Sequence, residues 1–444
     1  MREQDEQDEK RRVVENHSLG KASFGRWNRT QRNCPSPLFP SSHPEGASPS
    51  EWFSTARLFS EIATRESGKM RKLTKLSVAL LLAVLMLGLA TLLRYPARRV
   101  PLKAPPVVQV PHTVPMANHG EILLSFAGDC TFGSVNGDSG SGRFPSVYRR
   151  SRLLDYPFAR VRPWFRNDDL TVVNFECTLT NAVKTANKKW RFEGPASYAT
   201  IFPAGSVEAV GLSNNHSHDY LQVGFDDTRR NFEKAKVPVF YQNVPFTTNL
   251  KGIQTVLIGD CTVIGENTTQ TAGVAERVLA EIKRVKKVDN VVVVVMHWGS
   301  ELDPTPRPWQ QAMGRKFIDA GADAVVGHHP HVIQGIELYR GKTIAYSLGN
   351  FAFGGNSLAR APETFILQLR FRISDGKTSV KEAEIVPCWI TSSRSKNDAG
   401  VRRNNYQPKP VFGKDADKVA ALLLRRSRGL KYGVQKINYR KVTS

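Results

Sequence analysis

The chain has 444 residues, more than one hydrophobic core usually serves, so one sizeable domain with appendages or two domains are expected. Its 23% of charged residues is ordinary for a globular protein, whereas its formal net charge of +23 is not. This excess favours a polyanionic partner, whether nucleic acid, an anionic lipid surface or an acidic polymer. The five cysteines include no C-x-x-C pair, which argues against a disulfide framework.

The N-terminal part of the chain predicts a membrane anchor behind a dispensable extension. Residues 1–69 are polar and lack a sustained apolar period, which is typical of disorder. Residues 76–93 are uncharged and long enough to span a bilayer, and basic residues precede them, so 70–94 is expected to be an uncleaved signal anchor. It would hold the main domain outside the cytoplasm at the plasma (inner) membrane. Met70 begins a segment with the pattern of an export signal, so we expect translation to start there. Residues 1–69 would then be a spurious extension, and the alternative is that they are a disordered one. The proline-rich residues 95–120 predict an extended tether.

Short apolar runs of strand length then repeatedly end in a residue that can bind a metal or move a proton. The runs end at Asp129, at Asn174 and Glu176, at Asn214, Asn215 and His216, at His297, at His328, His329 and His331, and at Asn350. A helix is predicted in "PWQQAMGRKFIDAG", between the fourth and fifth runs, which makes a strand–helix–strand unit with parallel strands. Because α/β sheets place ligand sites at the carboxyl ends of such strands, these side chains are expected to converge on one cleft.

Carboxylate, amide and imidazole groups without a thiolate motif suit a borderline divalent cation such as manganese, iron or zinc. The thiols of Cys130 and Cys177 should point away from the acidic residues that precede them, although a bridge between the two remains an alternative. A near echo of the first run, "LIGDCTVIG", contains Asp260. For Asp260 we expect the structural role of a turn or helix cap, which is usual for a lone aspartate after an apolar run.

The ordered motifs resemble those of the CapA family of poly-γ-glutamate capsule biosynthesis proteins, whose domain looks like the calcineurin-type metallophosphoesterase fold. The resemblance covers about 121–387 and includes "FAGDCTFGS", "VVNFECTLT", "GLSNNHSHDY", "MHWGSELDPTP", "GADAVVGHHPHVIQGIE" and "YSLGNFAFGG". It implies an α/β domain over residues 121–390, a two-sheet β-sandwich flanked by helices with a metal centre at one edge. A basic tail over residues 391–444 would follow.

The resemblance also implies roles for individual residues. One or two divalent ions would be bound by Asp129, Glu176, Asn215, His297, His329 and His331, and His216 would be the general acid. Ordinary phosphoesterases carry a histidine two positions after the first aspartate, where Thr131 stands here. An additional residue in the closing motif leaves His328 and His329 as alternatives. A single metal is therefore a real alternative to two.

Two further residues near these motifs have a functional and a structural interpretation. Arg191 in "WRFEGP" has a planar guanidinium that could orient an anionic substrate, or it could make only an internal ion pair. Asp219, three residues after His216, could orient that imidazole or cap the start of a helix.

The expected function is a membrane-anchored part in the synthesis, export or surface retention of poly-γ-glutamate, with other membrane capsule-synthesis subunits as partners. The alternatives are a metal-dependent phosphoesterase or other hydrolase of unknown substrate, and a catalytically inert polymer-binding scaffold. Nucleic acid is not expected, because no binding motif accompanies the charge. The tail contains a predicted helix, "DADKVAALLLRRSRG", that could bind polymer or lipid, or pack on the domain through Val419, Leu422 and Leu423.

Overall fold

A computed structural model describes residues 119–263, 269–374 and 377–439. The N-terminal extension, the expected start at Met70, the signal anchor and the tether up to residue 118 lie outside the described residues. His119 and Gly120, the end of the expected tether, begin the first strand. Among the helices of the described ranges, none has the length and apolar character needed to cross a membrane.

The secondary structure is mixed throughout the described ranges. The strands are β1 His119–Thr131, β2 Ser134–Val135, β3 Leu170–Phe175, β4 Thr178–Leu179, β5 Phe192–Gly194, β6 Ala209–Gly211, β7 Val239–Phe240, β8 Phe246–Leu250, β9 Ile253–Thr262, β10 Val291–Trp298, β11 Ala324–His328, β12 Ile336–Tyr339, β13 Lys342–Ala345, β14 Asn350–Phe353, β15 Glu363–Ser374, β16 Lys377–Trp389 and β17 Lys409–Pro410. The α-helices are α1 Phe144–Ser151, α2 Arg162–Phe165, α3 Ile201–Ala204, α4 Leu221–Lys234, α5 Thr269–Val285, α6 Pro308–Asp319 and α7 Lys414–Arg428, and Ala196–Thr200 forms a 3₁₀ turn.

The strands form two large mixed sheets and one small sheet. The larger sheet has eight strands, with β17-β16-β15-β1-β3-β6-β7 in order and β14 paired to β1. The second has six strands in the order β12-β13-β11-β10-β9-β8, and β2-β5-β4 form the small sheet. Within the larger sheet β1 is parallel to β3 but antiparallel to β15.

The two large sheets pack face to face with helices on their outer faces. Apolar residues of β1, such as Leu124 and Phe126, share one buried cluster with Val293 and Val295 of β10. Helices α5 and α6 cover the outer face of the six-stranded sheet, and α1, α3 and α4 cover that of the larger sheet. The "VVVVVMHW" run is buried along its whole length, as expected of a strand covered on both faces. The predicted two-sheet sandwich with flanking helices is therefore confirmed.

The strand–helix–strand unit has the predicted geometry. Strand β10 leads through α6 into β11, which pairs with β10 in parallel and places His297 opposite His328. In the larger sheet the parallel pairing of β1 and β3 places Asp129 opposite Asn174. Both pairs lie at the carboxyl ends of their strands, which is where the apolar runs predicted ligands.

The C-terminal part of the chain packs on the sandwich. Val419 and Leu423 of α7 are fully buried, and Leu423 with the half-buried Leu422 packs in the buried cluster that joins the two large sheets. Tyr406 is also buried, and its hydroxyl donates a hydrogen bond to the Gly142 carbonyl oxygen. The apolar face of the tail helix therefore contacts the domain, which supports the packing interpretation for this face.

The Asp168 carboxyl gives the fold a predictable pH dependence. Burial, with the nearby charges of Glu208 and Asp169, raises the pKa of Asp168 from 3.8 to about 7 despite a hydrogen bond from Thr171. Native stability is then highest below the ordinary pKa and is lost as the pH rises through about 7. Asp168→Asn is expected to raise the Tm by a few degrees at about pH 8.5, with the gain vanishing near pH 4. A Tm difference that is independent of pH in thermal scans would contradict this assignment.

Candidate metal centre

The candidate site lies where β1, β3, β10 and β11 end, and a close backbone approach shapes it. A Cβ atom at Gly128 would stand 2.1 Å from the carbonyl oxygen of Gly349, so a side chain is excluded there. The amide of the next residue, Asp129, donates a hydrogen bond of 2.9 Å to the same oxygen. Gly128 therefore allows the backbone at Asp129 to contact the loop that leads into β14.

Asp129 is the fully buried hub of the site. Its Oδ1 lies 3.0 Å from His328 Nδ1, and its Oδ2 lies 3.1 Å from His331 Nδ1. Asn174 Nδ2 donates to Oδ1 at 2.9 Å, and the His329 amide donates to Oδ2 at 3.3 Å. Burial alone would raise the pKa of Asp129, but the two histidines hold it well below the usual range. Asp129 is therefore a carboxylate, the form that binds a cation.

Glu176 is also fully buried and lacks a partner for one oxygen. Its Oε1 accepts a hydrogen bond of 3.1 Å from Asn174 Nδ2, whereas Oε2 is buried without a hydrogen-bond partner among the described residues. Burial and the charge of Asp129 raise the pKa of Glu176 well above its ordinary value. Because a buried polar oxygen without a partner is costly, this atom fits a cation ligand.

His297 completes a compact group with these two carboxylates. Its ring is buried, with Nε2 2.9 Å from Asn215 Oδ1 and Nδ1 3.3 Å from Asn174 Nδ2. Burial and the neighbouring His329 hold the pKa of His297 well below 6.5, so the imidazole is neutral at neutral pH. One ligand atom each from Asp129, Glu176 and His297 lies within 4.8 Å of the others. Asn215 therefore contacts this group of ligands indirectly, through His297.

A second group of potential ligands consists of Glu301, His329 and His331, whose ligand atoms also lie within 4.8 Å of one another. The Nδ1 atom of His329 is buried without a hydrogen-bond partner among the described residues. Burial, reinforced by His331, lowers the pKa of His329 to about 3. For His331 burial acts in the same direction, but Glu176 and Asp129 outweigh it and raise the pKa to about 10.

The backbone of the closing "HHPH" motif is strained. His329 has φ 98° and His331 has φ 59°, in the left-handed region that non-glycine residues rarely adopt. Such conformations persist only where surrounding contacts enforce them. Asp129 supplies such contacts, because it accepts the His329 amide and faces His331 Nδ1.

Beside the metal ligands, His216 is held by Asp219. Asp219 is fully buried, and its Oδ2 lies 2.8 Å from His216 Nδ1 and accepts the Phe192 amide at 2.7 Å. Its Oδ1 accepts a 2.7 Å hydrogen bond from Lys188 Nζ. No side-chain cap is present at the start of α4, so Asp219 orients the imidazole and is not a helix cap. Burial lowers the pKa of His216, and Asp219 offsets this only in part.

Arg191 approaches the same corner but makes no ion pair with any described carboxylate. Its Nη1 donates a hydrogen bond of 2.5 Å to the Lys188 carbonyl oxygen, and its Nε is buried without a partner among the described residues. The internal ion pair that the sequence allowed is therefore not formed within the described ranges. A guanidinium with an unused donor remains suited to an anionic ligand.

The structure corrects several details of the sequence interpretation. Cys130 and Cys177 are free thiols, so the alternative of a bridge between them is wrong. Asp260 lies in β9 and pairs with Arg277 at 3.3 Å, so its role is structural but is not a turn or helix cap. The ambiguous His328 contacts Asp129 directly, whereas His329 belongs to the second ligand group.

Two site residues, Lys188 and Glu301, were missed from the sequence. Glu301 follows β10 by three residues, so a search of the loops after the strand ends for acidic residues would have found it. Lys188 lies in an irregular segment before β5, and no local pattern indicates its contact with Asp219.

Comparisons with known proteins agree with the order of the motifs. A family model described as bacterial capsule synthesis protein PGA_cap matches residues 123–355, more than half of the chain. The PGA biosynthesis protein CapA of Bacillus subtilis (strain 168) is 32% identical over 313 residues, covering 65% of this chain and 79% of the relative. The capsule biosynthesis protein CapA of Bacillus anthracis is 30% identical over 295 residues, covering 59% and 70% respectively.

Similar solved structures include the calcineurin-like phosphoesterase YfkN from Bacillus subtilis, at 12% identity and a TM-score of 0.38, covering 70% of this chain and 98% of that one. A hypothetical protein from Thermus thermophilus is 15% identical with the same TM-score, covering 60% and 99%. The family rests on the sequence matches, which include the motifs of Asp129, Glu176 and His297. From these matches we conclude that the chain belongs to the CapA-like family of bacterial capsule synthesis proteins.

Proposed function

We propose that this protein acts in the synthesis, export or surface retention of an anionic capsule polymer of the poly-γ-glutamate type, and that it does so with a divalent metal centre. The family membership supports the pathway, since two relatives are named for PGA or capsule biosynthesis. The observation that carries the metal centre is the convergence of ligand atoms from Asp129, Glu176 and His297 within 4.8 Å. In this proposal a single helix anchors the chain in the plasma membrane and the described domain lies outside the cytoplasm.

The donor set fits one or two divalent cations. Asp129 offers carboxylate oxygens and His297 offers a neutral imidazole nitrogen, and Glu176, whose pKa is raised, would release its proton on binding a cation. Glu176 Oε2 and His329 Nδ1 are buried atoms with no hydrogen-bond partner in the part of the chain that the structure describes, and a cation would satisfy them. Oxygen and imidazole ligands without thiolate suit manganese, iron or zinc. Asn215 would take part through the amide oxygen that now faces His297 Nε2.

If the site is catalytic, two residues beside the metal ligands have roles: His216 as the general acid and Arg191 as the group that binds an anion. A divalent cation bound there supplies Lewis acidity toward an oxygen of the substrate. Asp219 fixes His216 with the proton on Nδ1, which leaves Nε2 to accept or deliver a proton. Arg191 would orient an anionic group through its unused Nε donor. The contact between His216 and Asp219 is the observation that favours the alternative, a metal-dependent phosphoesterase or other hydrolase.

Complementation of a strain that lacks the gene tests the proposed function. The wild-type chain is expected to restore surface poly-γ-glutamate, whereas His297→Ala, made to the same level, is expected not to. Restoration of polymer by His297→Ala would contradict a role for the metal centre and favour a polymer-binding scaffold. Phosphate release from phosphoesters by the wild type alone, with polymer unchanged by the deletion, would favour the hydrolase. Recovery of the full chain in the soluble fraction of these cells would contradict the proposed membrane anchor.

A further inference from the structure

A second group of unusual residues surrounds Trp389, at the end of β16, outside the metal centre. The guanidinium carbon of Arg402 lies 4.4 Å from the centre of a Trp389 ring, and Lys409 Nζ lies 5.1 Å from it. Lys409 stands directly opposite Trp389 in the pairing of β16 with β17. Cations at such distances are attracted by the face of an indole, so Trp389 holds both in place. We call Arg160, Arg394, Arg402, Lys409 and Trp389 the Trp389 cluster.

The four cations of the Trp389 cluster lie close enough for their charges to repel one another. Burial lowers the pKa of Lys409, and the charges of Arg402, Arg394 and Arg160 lower it further. Among the described residues none of the four makes an ion pair: Arg160 donates to the Gln407 side chain and Arg402 to the Ser393 carbonyl oxygen.

Two acidic residues lie near the cluster but form no ion pair with its cations among the described residues. Glu363 stands opposite Trp389 on β15 and makes no ion pair among the described residues. The charge of Asp415 opposes this repulsion at Lys409, with an effect on the pKa of Lys409 larger than that of Arg160, but the ion pair of Asp415 is with Lys418, at 3.2 Å. Lys396 adds another positive charge, because it lies opposite Arg402 in a short antiparallel bridge. Like charges placed opposite each other destabilise a strand pair, so this arrangement costs stability unless an anion offsets it.

The segment that carries these charges is firmly held. Thr391 Oγ1 donates to Asn405 Oδ1 at 2.8 Å and accepts a hydrogen bond of 3.1 Å from the Ser393 amide. Asn404 Nδ2 donates to the Phe353 carbonyl oxygen at 3.2 Å, and the Phe353 ring lies 4.8 Å from that of His331. The backbone that carries Arg394 and Arg402 is therefore held in place, which reduces the entropic cost of binding an anion.

The Trp389 cluster lies at the same end of the sheet as the metal centre. β15 runs antiparallel to β1 and pairs Leu367 with Phe126, so its first residue, Glu363, lies toward the carboxyl end of β1 that carries Asp129. Glu363 in turn pairs with Trp389. A chain lying along this sheet end could contact both the Trp389 cluster and the metal centre.

We propose that the Trp389 cluster binds successive carboxylates of a linear polyanion. The inference rests on the proposed function and names where the polymer would be held. Arg160 and Arg394 are exposed, but Arg402 and Lys409 are half-buried, so the cluster is recessed. A flexible chain with a charge on every residue can reach recessed cations, whereas a flat anionic bilayer reaches only the exposed ones. Guanidinium groups bind carboxylates in a planar, two-bond geometry that favours Arg at such a site.

Binding of labelled poly-γ-glutamate to the purified full chain, measured by fluorescence anisotropy, tests the proposal. The triple variant Arg394→Gln, Arg402→Gln and Lys409→Gln is expected to bind about tenfold more weakly or worse, because three charge contacts are lost. The matched control is Lys283→Gln, Lys287→Gln and Lys316→Gln, which removes the same charge from exposed residues of other surfaces. It is expected to change the affinity by less than about twofold, because distant exposed charges are screened.

Equal weakening in both triple variants would overturn the proposal, because net charge alone would then explain the binding. Tighter binding of phosphatidylglycerol vesicles or of single-stranded RNA than of polymer, lost in the cluster variant, would also overturn it and would assign the surface to lipid or nucleic acid. If the triple variant fails to fold, Arg394→Gln with Lys396→Gln removes two exposed charges and should still weaken polymer binding. His297→Ala is expected to bind polymer normally, so failure of the metal centre and failure of the Trp389 cluster are distinguishable.

Discussion

Replacing Asp129 with asparagine is expected to weaken metal binding by more than about 100-fold, because it removes a direct ligand and changes to merely supporting residues already cost 10–100-fold. The carboxylate faces His328 and His331, and it accepts from Asn174 and the His329 amide. An amide in its place carries no charge and cannot accept at both atoms. Titration of the purified full chain with manganese or zinc, followed by calorimetry, measures the effect.

The control for this substitution is Asp260→Asn, at the echo of the same "GDC" motif. Asp260 is also buried, but it pairs with Arg277 and belongs to neither ligand group. The variant should bind metal as the wild type does, even if it is less stable. Equal losses of metal affinity in Asp129→Asn and Asp260→Asn would show that the loss reflects general destabilisation, and Asp129 would no longer be a ligand.

The largest effect on stability is expected for Asp323→Ala. Asp323 is buried between the two strands of the strand–helix–strand unit, where its Oδ2 accepts from Lys286 Nζ at 2.6 Å and from the Val292 amide at 2.9 Å. Its Oδ1 accepts from Lys342 Nζ at 3.0 Å. Removing the carboxylate leaves two half-buried ammonium groups and a backbone amide without their hydrogen-bond acceptor. Breaking a buried ion pair in this way lowers the free energy of unfolding by about 3–5 kcal/mol.

Asp319→Ala is the matched control for Asp323→Ala. Asp319 lies four residues earlier and pairs with Arg340 at 3.0 Å, but both side chains are exposed. Surface pairs of this kind contribute less than about 1 kcal/mol. Urea unfolding should therefore separate the two variants clearly, and a similar free energy of unfolding for both would contradict the importance of the Asp323 network.

That the ligand side chains lie close together could be predicted from the sequence, because the end of an apolar run marks the end of a strand locally. An apolar run that stops at Asp129 or His297 shows both the end of a strand and its ligand, and parallel pairing brings such ends together. The resemblance to a known family added the sandwich and the identity of several ligands. It could not assign Arg191, because the absence of an ion pair with any described carboxylate depends on where each of those carboxylates lies.

Contacts between irregular segments were beyond sequence reasoning for the same reason. Lys188 reaches Asp219 across 31 residues of sequence, and no periodic pattern links the two. The choice between His328 and His329 depends on the strained backbone that follows β11, since one residue of shift exchanges the ring that faces Asp129. The Trp389 cluster likewise joins Arg160, in the loop before α2, to cations of the C-terminal hairpin and β17, and this contact across the chain follows no local pattern.

The most direct test of the central claim is elemental analysis of the purified full chain, prepared without chelators. The convergence of Asp129, Glu176 and His297 predicts one or two equivalents of manganese, iron or zinc per chain, and the loss of this metal in His297→Ala. A wild-type chain that carries no such metal and takes up none on titration would contradict the metal centre.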